Sequence, residues 1–390
     1  MEKKIKLGII GFGNQGRLYA KQYQLGRLPE IELVAIADCN PARIQSAKEI
    51  YGDSVQYFDN AITMMESGII DSCIICTPHF DHCRLAIDAM QRQLHVMVDK
   101  PAGVYTKQVE EMNAEAAKHP NVVFGMMFNQ RTNCVYRKMR ELIVSGAYGQ
   151  IRRTNWLITN WYRPQAYYDS GDWRATWSGE GGGVLLNQCP HQLDLWQWIC
   201  GMPSKVHAHL HYGKWHDIEV EDDVTAYVEY PNGATGVFIT STGDAYGSNR
   251  FEVQLDRAKI VVENDELKVW EFEMSEQEFS RTNAAPFGSV KVTPVEVETD
   301  GQSTAHAGVL NAWADAILHG GQLVARGEEG INGLTLSNAM HLSSFLGKEV
   351  ELPIDADLYY QELSKRIASS RRKTNVKEVV ADTSNSFSGT

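Results

Sequence analysis

A glycine-rich hexapeptide near the start of the chain constrains the fold more than any other feature. Residues 11–16 read Gly-Phe-Gly-Asn-Gln-Gly and directly follow a strand-like apolar run at residues 4–10. A helical pattern follows them, and a second apolar run ends on Asp38. Between a strand and a helix, the first glycine permits a tight turn, the second lets the backbone approach a pyrophosphate, and the third allows close helix packing. This arrangement predicts a doubly wound parallel sheet that binds a dinucleotide.

Asp38 bears on which dinucleotide is bound. It lies 22 residues after the last glycine, where a carboxylate holds the ribose hydroxyls. Because a carboxylate there repels the 2′-phosphate of NADP, the sequence favours NAD, although Arg43 would weaken that preference if it faced the ribose. The expected cofactor contacts of this unit are Gly11, Phe12, Gly13, Asn14, Gln15, Gly16, Asp38 and Arg43.

Strand-like and helix-like segments continue to alternate as far as residue 128. Such alternation predicts a parallel sheet, whose ligands collect beyond the carboxyl ends of the strands. Polar clusters follow the apolar runs that end near residues 76, 98 and 128. The residues of these clusters that we expect to contact the cofactor are Thr77, Pro78, His79, His82, Asp99, Lys100 and Asn129.

From residue 129 onward the pattern changes to longer, two-sided strands separated by hairpin turns such as Pro231-Asn232-Gly233. We therefore predict three parts: an NAD-binding Rossmann domain at residues 1–128, an α+β domain at 129–352, and a C-terminal helix with a mobile tail at 353–390. The second domain is expected to contain a large, open and mostly antiparallel sheet. The open face of such a sheet is a natural surface for a homodimer or homotetramer.

Residues 181–201 begin with three glycines and then place Pro190 and His191 at the start of a predicted helix. The helix dipole disfavours a charged imidazole at that position. A neutral imidazole can take a proton from a substrate hydroxyl, but a single histidine is more often a core residue. The residues alone leave both interpretations open.

The segment at residues 161–177, here called the aromatic loop, is rich in aromatic and arginine side chains. Aromatic faces pack on the C–H patches of sugars, and arginine binds hydroxyls. A substrate lid and a surface loop or subunit contact explain this composition equally well. If the loop lines the substrate site, the expected contacts are Arg163, Tyr168, Trp173 and Arg174. Arg131, which follows the last strand of the first domain, is expected to line the same cleft.

Composition excludes several other classes of protein. The formal net charge of −12 argues against binding to nucleic acid or to an anionic membrane. No apolar stretch reaches the roughly 18 residues of a membrane helix. The 7 cysteines are scattered and odd in number, which indicates a reducing, cytoplasmic compartment.

Two patterns resemble metal or redox motifs. Cys73 and Cys76 lie in an apolar run without the turn or the second ligand pair that a redox or zinc motif requires, so we expect buried thiols. His207, His209 and His211 alternate along one strand near His216, but they lack the carboxylate that usually completes a catalytic zinc site. We therefore predict no metal.

Taken in order, these motifs resemble those of the Gfo/Idh/MocA oxidoreductases, named for glucose–fructose oxidoreductase, inositol dehydrogenase and a rhizopine catabolism protein. The likeness covers about residues 4–350 and includes Thr77-Pro78-His79, Asp99-Lys100-Pro101 and the glycine run followed by Asn187 and His191. It implies hydride transfer between a nicotinamide and a carbon of a sugar, glycoside or cyclitol. It also implies that Lys100 and His191 are the catalytic residues.

Two residues depart from the pattern of that family. Asp99 replaces the usual glutamate with a carboxylate of the same charge. Asn187 stands where an aspartate is common, and an amide cannot take a proton, so we expect Asn187 to orient the substrate. This change leaves open a redox-assisted glycosidase or lyase in which a tightly held NAD oxidises the sugar transiently. His306, at the start of a helical run, is a further residue that can reach the site.

Overall fold

The computed structural model describes residues 3–371, 373 and 376 of the chain. In its first part, strands and helices alternate, as the sequence predicts. These elements are β1 (Ile5–Ile10), α1 (Asn14–Gln24), β2 (Ile31–Ala37), α2 (Pro41–Tyr51), β3 (Gln56–Phe58), α3 (Ala61–Glu66), β4 (Ser72–Ile75), α4 (His82–Gln91), β5 (His95–Val98), α5 (Thr106–Lys118) and β6 (Phe124–Met126).

The first six strands form one parallel sheet in the order β3-β2-β1-β4-β5-β6. The order reverses between β1 and β4, and a crevice opens beyond the carboxyl ends of strands at such a reversal. The glycine turn follows β1, and the Thr77 and Lys100 loops follow β4 and β5. The predicted doubly wound parallel sheet is confirmed.

The second part of the chain is built around a larger sheet. Its elements are α6 (Cys134–Val144), β7 (Ile151–Ile158), α7 (Gln165–Tyr168), α8 (Pro190–Cys200), β8 (Lys205–Tyr212), β9 (Glu221–Glu229), β10 (Thr235–Ser241), β11 (Asn249–Leu255), β12 (Ala258–Glu263), β13 (Glu266–Phe272), α9 (Glu276–Thr282), β14 (Val292–Val295), α10 (Ala305–His319), α11 (Gly330–Leu346), β15 (Val350–Glu351) and α12 (Ala356–Ser369).

Nine strands of this part pair in the order β14-β13-β12-β11-β7-β10-β9-β8-β15. Every pairing is antiparallel except that of β7 with β10, which confirms a mostly antiparallel sheet. Trp196 of α8 stacks on Phe238 of β10 at 5.3 Å, and Trp156 stacks on Phe251 at 4.2 Å. This aromatic layer holds α8, and with it His191, against one face of the sheet.

Helix α10 packs against the first sheet, although the sequence grouped its residues with the second domain. Leu310 and Trp313 are fully buried in a cluster with Ile5 and Ile9 of β1. The indole N–H of Trp313 donates to the carbonyl of Val123 at 3.2 Å. Because α10 closes over this sheet, His306 at the start of the helix comes within electrostatic reach of Lys100 and His191.

The remaining expectations concern cysteines, membranes and the chain end. All seven cysteines are free, and burial raises the pKa of Cys73 to about 12, as expected of a structural thiol. None of the described helices is long and apolar enough to cross a membrane. The predicted C-terminal helix is present as α12, whereas most of the predicted mobile tail lies outside the described residues.

Candidate active site

The glycine turn after β1 has the shape that a pyrophosphate requires. Gly11 has a φ of +91°, and a Cβ on Gly16 would lie 2.1 Å from the carbonyl oxygen of Gly11. A Cβ on Gly13, by contrast, would meet no protein atom within 4 Å. Helix α1 starts directly after Gly13 at Asn14, and no side chain caps it. Its first N–H groups can therefore bind phosphate oxygens in the space beside Gly13.

Asp38 joins the end of β2 to this turn. Its carboxylate accepts hydrogen bonds from the backbone N–H of Phe12 at 2.7 Å and of Asn40 at 2.8 Å. The guanidinium of Arg43 lies 3.5 Å from the same carboxylate. A negative charge at the end of β2 is therefore held in place next to the glycine turn, with a positive charge beside it.

Four buried polar atoms lie along the carboxyl edge of the first sheet and at the start of α8. Among the described residues none of the four has a hydrogen-bond partner: Gln15 Oε1, Thr77 Oγ1, Asn129 Oδ1 and His191 Nδ1. Buried polar groups in proteins are nearly always paired, so a row of unpaired ones is typical of a ligand site. The acceptor oxygens of Gln15 and Asn129 suit ribose hydroxyls and the nicotinamide amide, and the Thr77 hydroxyl can donate to a phosphate oxygen.

The two histidines after β4 differ in their surroundings. His82 is 1% exposed, and its ring nitrogens lie 2.7 Å from the Thr77 carbonyl and 2.8 Å from the Pro101 carbonyl. The ring therefore ties two loops together, and the cofactor contact expected of His82 does not fit this placement. Pro78 precedes the turn that carries His79. His79 Nδ1 lies 3.3 Å from the Glu180 carbonyl, and burial sets its pKa well below the usual value.

Lys100 reaches from the first sheet to the second part of the chain. Its Nζ donates to the main-chain carbonyl of Asn187 at 2.7 Å. Burial lowers the pKa of Lys100, while the charges of Asp99 and Glu180 oppose that shift. Asp99 accepts the backbone N–H of Lys100 at 2.8 Å, so its carboxylate holds the loop that carries the lysine.

His191 lies in the first turn of α8, is 6% exposed and makes a T-shaped ring contact with Phe128. Burial sets its pKa well below the usual value, and the nearby Lys100 and His306 add to the shift. Burial and Lys100 also lower the pKa of His306, to about 4. The site thus holds an amine and two neutral imidazoles within electrostatic reach of one another.

The aromatic loop forms one wall of this site. The hydroxyl of Tyr167 is contacted by Arg174 at 3.0 Å and by the side-chain amides of Asn187 and Gln188, each at 3.2 Å. The guanidinium of Arg174 lies between the rings of Tyr167 and Trp173, at 4.7 and 4.6 Å from their centroids. Arg163 also lies over Tyr167, at 5.2 Å. These contacts connect the loop directly to Asn187.

Two residues expected to bind substrate are placed elsewhere. Tyr168 is 3% exposed and donates its hydroxyl to Thr242 at 2.7 Å, so it is its neighbour Tyr167 that faces the site. Arg131 is 2% exposed and forms two hydrogen bonds to Asp194, at 2.8 and 2.7 Å, and one to Glu329 at 2.5 Å. Because these bonds occupy the guanidinium, Arg131 anchors α8 and does not fit the expected substrate contact.

Sequence reasoning missed Glu180. This carboxylate is 2% exposed and accepts a hydrogen bond from the side-chain amide of Asn187. Burial raises its pKa to about 7, and Arg174 opposes the shift. Its one sequence signal is a carboxylate directly before the glycine run, a position that no spacing rule distinguishes.

One histidine of β8 and one in the following loop contact carboxylates, while His207 and His209 of β8 stack on each other at 5.2 Å. His211 lies 3.2 Å from Asp223, and His216, in the next loop, lies 3.0 Å from Asp222. Among the described residues, Glu30, Asp315 and His319 place potential metal-ligand atoms within 4.8 Å of one another. Those residues are partly or fully exposed, and exposed groups of this kind are common without a metal.

Two family models match successive parts of the chain. Residues 5–126 match the oxidoreductase family with an NAD-binding Rossmann fold, and residues 136–261 match the GFO/IDH/MocA C-terminal domain. Myo-inositol 2-dehydrogenase of Thermotoga maritima is 24% identical over 268 residues, which are 67% of this chain and 75% of that protein. D-glucoside 3-dehydrogenase of Escherichia coli is 26% identical over 249 residues, 59% of this chain and 68% of that protein.

Solved structures share the fold at low sequence identity. The WlbA dehydrogenase of Bordetella pertussis, in complex with NADH and UDP-GlcNAcA, has a TM-score of 0.77 and 24% identity over 90% of this chain and 100% of that one. Levoglucosan dehydrogenase in complex with NADH and levoglucosan has a TM-score of 0.74 and 20% identity over the same shares. Together with the matches to both domains, this likeness means that the chain belongs to the Gfo/Idh/MocA family of oxidoreductases.

Proposed function

We propose that the protein is an NAD-dependent dehydrogenase that oxidises a secondary hydroxyl of a sugar, glycoside or cyclitol. The observation that carries the proposal is the row of unpaired buried polar atoms, which runs from Gln15 through Thr77 and Asn129 to His191. A dinucleotide along this row would have its pyrophosphate at Gly13 and its nicotinamide near His191. Two similar proteins are named as dehydrogenases of myo-inositol and of D-glucosides, which supports a polyhydroxylated substrate.

In this proposal Lys100 and His191 handle the hydroxyl proton. The nicotinamide, if bound beside Asn129 and His191, would supply the acceptor for the hydride of the carbon. Neutral His191 takes the proton of the hydroxyl, since its lowered pKa leaves a ring nitrogen free to accept it. The Lys100 ammonium, held by the carbonyl of Asn187, stabilises the alkoxide as it develops. Asn187, Arg174, Trp173 and Arg163 then orient the ring of the substrate.

The cofactor proposed is NAD, with NADP the weaker ligand. The carboxylate of Asp38 lies beside the glycine turn, where it would repel a 2′-phosphate. Arg43, 3.5 Å away, partly offsets that charge. Titration of the protein with NADH and NADPH, followed by quenching of tryptophan fluorescence, tests the choice; equal or tighter binding of NADPH would overturn it.

The activity itself is tested by supplying NAD with a panel of sugars, glycosides and cyclitols and recording absorbance at the NADH band. Steady growth of NADH is the expected result. Release of an aglycone without net NADH would contradict the dehydrogenase and favour the redox-assisted glycosidase. Absence of both across the panel, with NADH bound, would refute the substrate class.

We further propose a cytoplasmic homodimer or homotetramer that assembles through the open face of the larger sheet. Leu157 and Tyr227 are exposed on this sheet, at 37% and 40%, in the described monomer. An exposed apolar patch on a sheet favours association. Light scattering of the purified protein gives the mass of the oligomer. Replacement of Leu157 and Tyr227 by charged residues should reduce that mass to the mass of one chain.

A further inference from the structure

Glu180 joins the aromatic loop to the glycine run through both of its carboxylate oxygens. One oxygen accepts the backbone N–H of Ala175 at 2.5 Å, and the other accepts the side-chain amide of Asn187. The same amide nitrogen also donates to the hydroxyl of Tyr167 at 3.2 Å. Both amide hydrogens of Asn187 are therefore used, which fixes the orientation of its side chain.

Asn187 also determines where Lys100 lies. Its main-chain carbonyl accepts the Nζ of Lys100 at 2.7 Å, while its side chain is held by Glu180. The carboxylate of Glu180 is thus linked to the amine of Lys100 through one intervening residue, Asn187. Without the bond to Glu180, Asn187 could change its position, and the Lys100 side chain that it holds would no longer point in a fixed direction.

The two bonds of Glu180 depend on its ionisation. Each oxygen accepts from an N–H donor, so a proton on either oxygen competes with that donor and weakens one of the two bonds. Burial raises the pKa of Glu180 to about 7, and the charge of Arg174 opposes the shift. The charge of this side chain therefore changes near neutral pH. The titratable groups that act on it are Lys100, Arg174, Tyr168, Glu221 and Lys373, and its own carbonyl faces His79.

We propose that Glu180 is a positioning residue for the oxidation, one that in its ionised form holds Asn187 so that Lys100 points at the reacting hydroxyl. The inference rests on the function proposed above. It predicts that kcat/KM for oxidation rises with pH as Glu180 loses its proton and reaches a plateau above about pH 8.

The variant that tests the proposal is Glu180→Gln. Glutamine has the same shape but a single acceptor oxygen, so it satisfies one of the two N–H donors at every pH. We expect kcat/KM on the plateau to fall about tenfold, the loss that corresponds to one charge-assisted hydrogen bond. The inflection near neutral pH should disappear, and the affinity for NADH should stay within about twofold.

Two further variants separate positioning from folding. Glu180→Asp retains the charge and should keep the inflection with a smaller loss of rate. Glu219→Gln is the matched control, because Glu219 accepts the backbone N–H of Trp177 in the same loop at 3.2 Å but does not contact Asn187. It should leave both the rate and the profile unchanged. An inflection that persists in Glu180→Gln would overturn the proposal, as would its loss in Glu219→Gln.

A readout without turnover distinguishes this inference from the proposed function. The side-chain amide ¹⁵N resonance of Asn187, assigned with Asn187→Asp, should shift with pH around neutrality in the wild type and stay constant in Glu180→Gln. A constant resonance in both proteins would refute the coupling even if the enzyme oxidises sugars. A shift in a protein that oxidises none would leave the coupling standing and refute the proposed function.

Discussion

Lys100 donates a hydrogen bond to the main-chain carbonyl of Asn187, 87 residues further along the chain, at 2.7 Å. This bond connects the loop after β5 of the parallel sheet with the segment that leads into α8 on the antiparallel sheet. The candidate site therefore exists only where the two sheets meet. This contact fixes the position of the Lys100 amine relative to the segment that leads into α8.

Replacement of Lys100 should greatly reduce turnover while the protein still binds NADH. In Lys100→Met the alkoxide has no positive partner, so we expect kcat to fall by about 10²-fold or more. Binding of NADH, measured by fluorescence, should change little. Lys107→Met, which removes a lysine paired with Asp357 on the surface, is the control and should retain activity. Wild-type turnover in Lys100→Met would exclude the proposed role of the lysine.

Two glycines of the hexapeptide should respond in opposite ways to alanine. A Cβ on Gly13 enters open space, so Gly13→Ala should melt at the wild-type temperature but lose affinity for NADH by about tenfold or more, because the methyl fills the phosphate space. A Cβ on Gly16 meets the Gly11 carbonyl at 2.1 Å, so Gly16→Ala should be destabilised with or without cofactor. Undiminished NADH binding by Gly13→Ala would contradict the proposed pyrophosphate site.

The placement of Arg131 predicts an effect on stability. Arg131→Met leaves Asp194 buried without its partner, which costs about 3–5 kcal/mol of unfolding free energy in comparable buried pairs. Arg137→Met, which breaks the exposed pair with Asp300, should cost about 1 kcal/mol or less. Urea denaturation measures both. A stable Arg131→Met protein whose KM for the sugar rises would restore the substrate contact expected from the sequence.

His306 predicts a pH dependence of stability. Its folded pKa is lowered to about 4 by burial and Lys100, whereas the unfolded value is about 6.5. The stabilisation is therefore complete above pH 6.5 and is lost as the pH falls towards 4, because the unfolded chain binds a proton that the folded one does not. After allowance for partial exposure, the wild type should lose about 2 kcal/mol more than His306→Gln over this range. Urea denaturation at several pH values measures the unfolding free energy of both proteins. An equal loss in the two proteins between pH 7 and pH 4 would contradict the prediction.

Much of the cofactor side of the site could be predicted because its requirements are local. A turn that needs a positive φ at Gly11 and close packing at Gly16 can be met only by glycine, so it is visible in the sequence. The distance from Gly16 to Asp38 is similarly set by one helix and one strand. The substrate side was harder to predict from the sequence. Of two adjacent tyrosines, Tyr167 contacts Asn187 and Tyr168 is bonded to Thr242 in the core. The sequence contains no feature that distinguishes them.

The sequence by itself determined the doubly wound sheet, the mostly antiparallel second sheet and the order of their motifs, because periodicity and glycine positions act over a few residues. The tertiary structure alone decided which charges meet. Arg131 pairs with Asp194 and Glu329, which lie 63 and 198 residues away, and Glu180 becomes a buried carboxylate beside Asn187. Burial and partners at such distances govern ionisation and hydrogen bonding, and they arise only when the two sheets pack together.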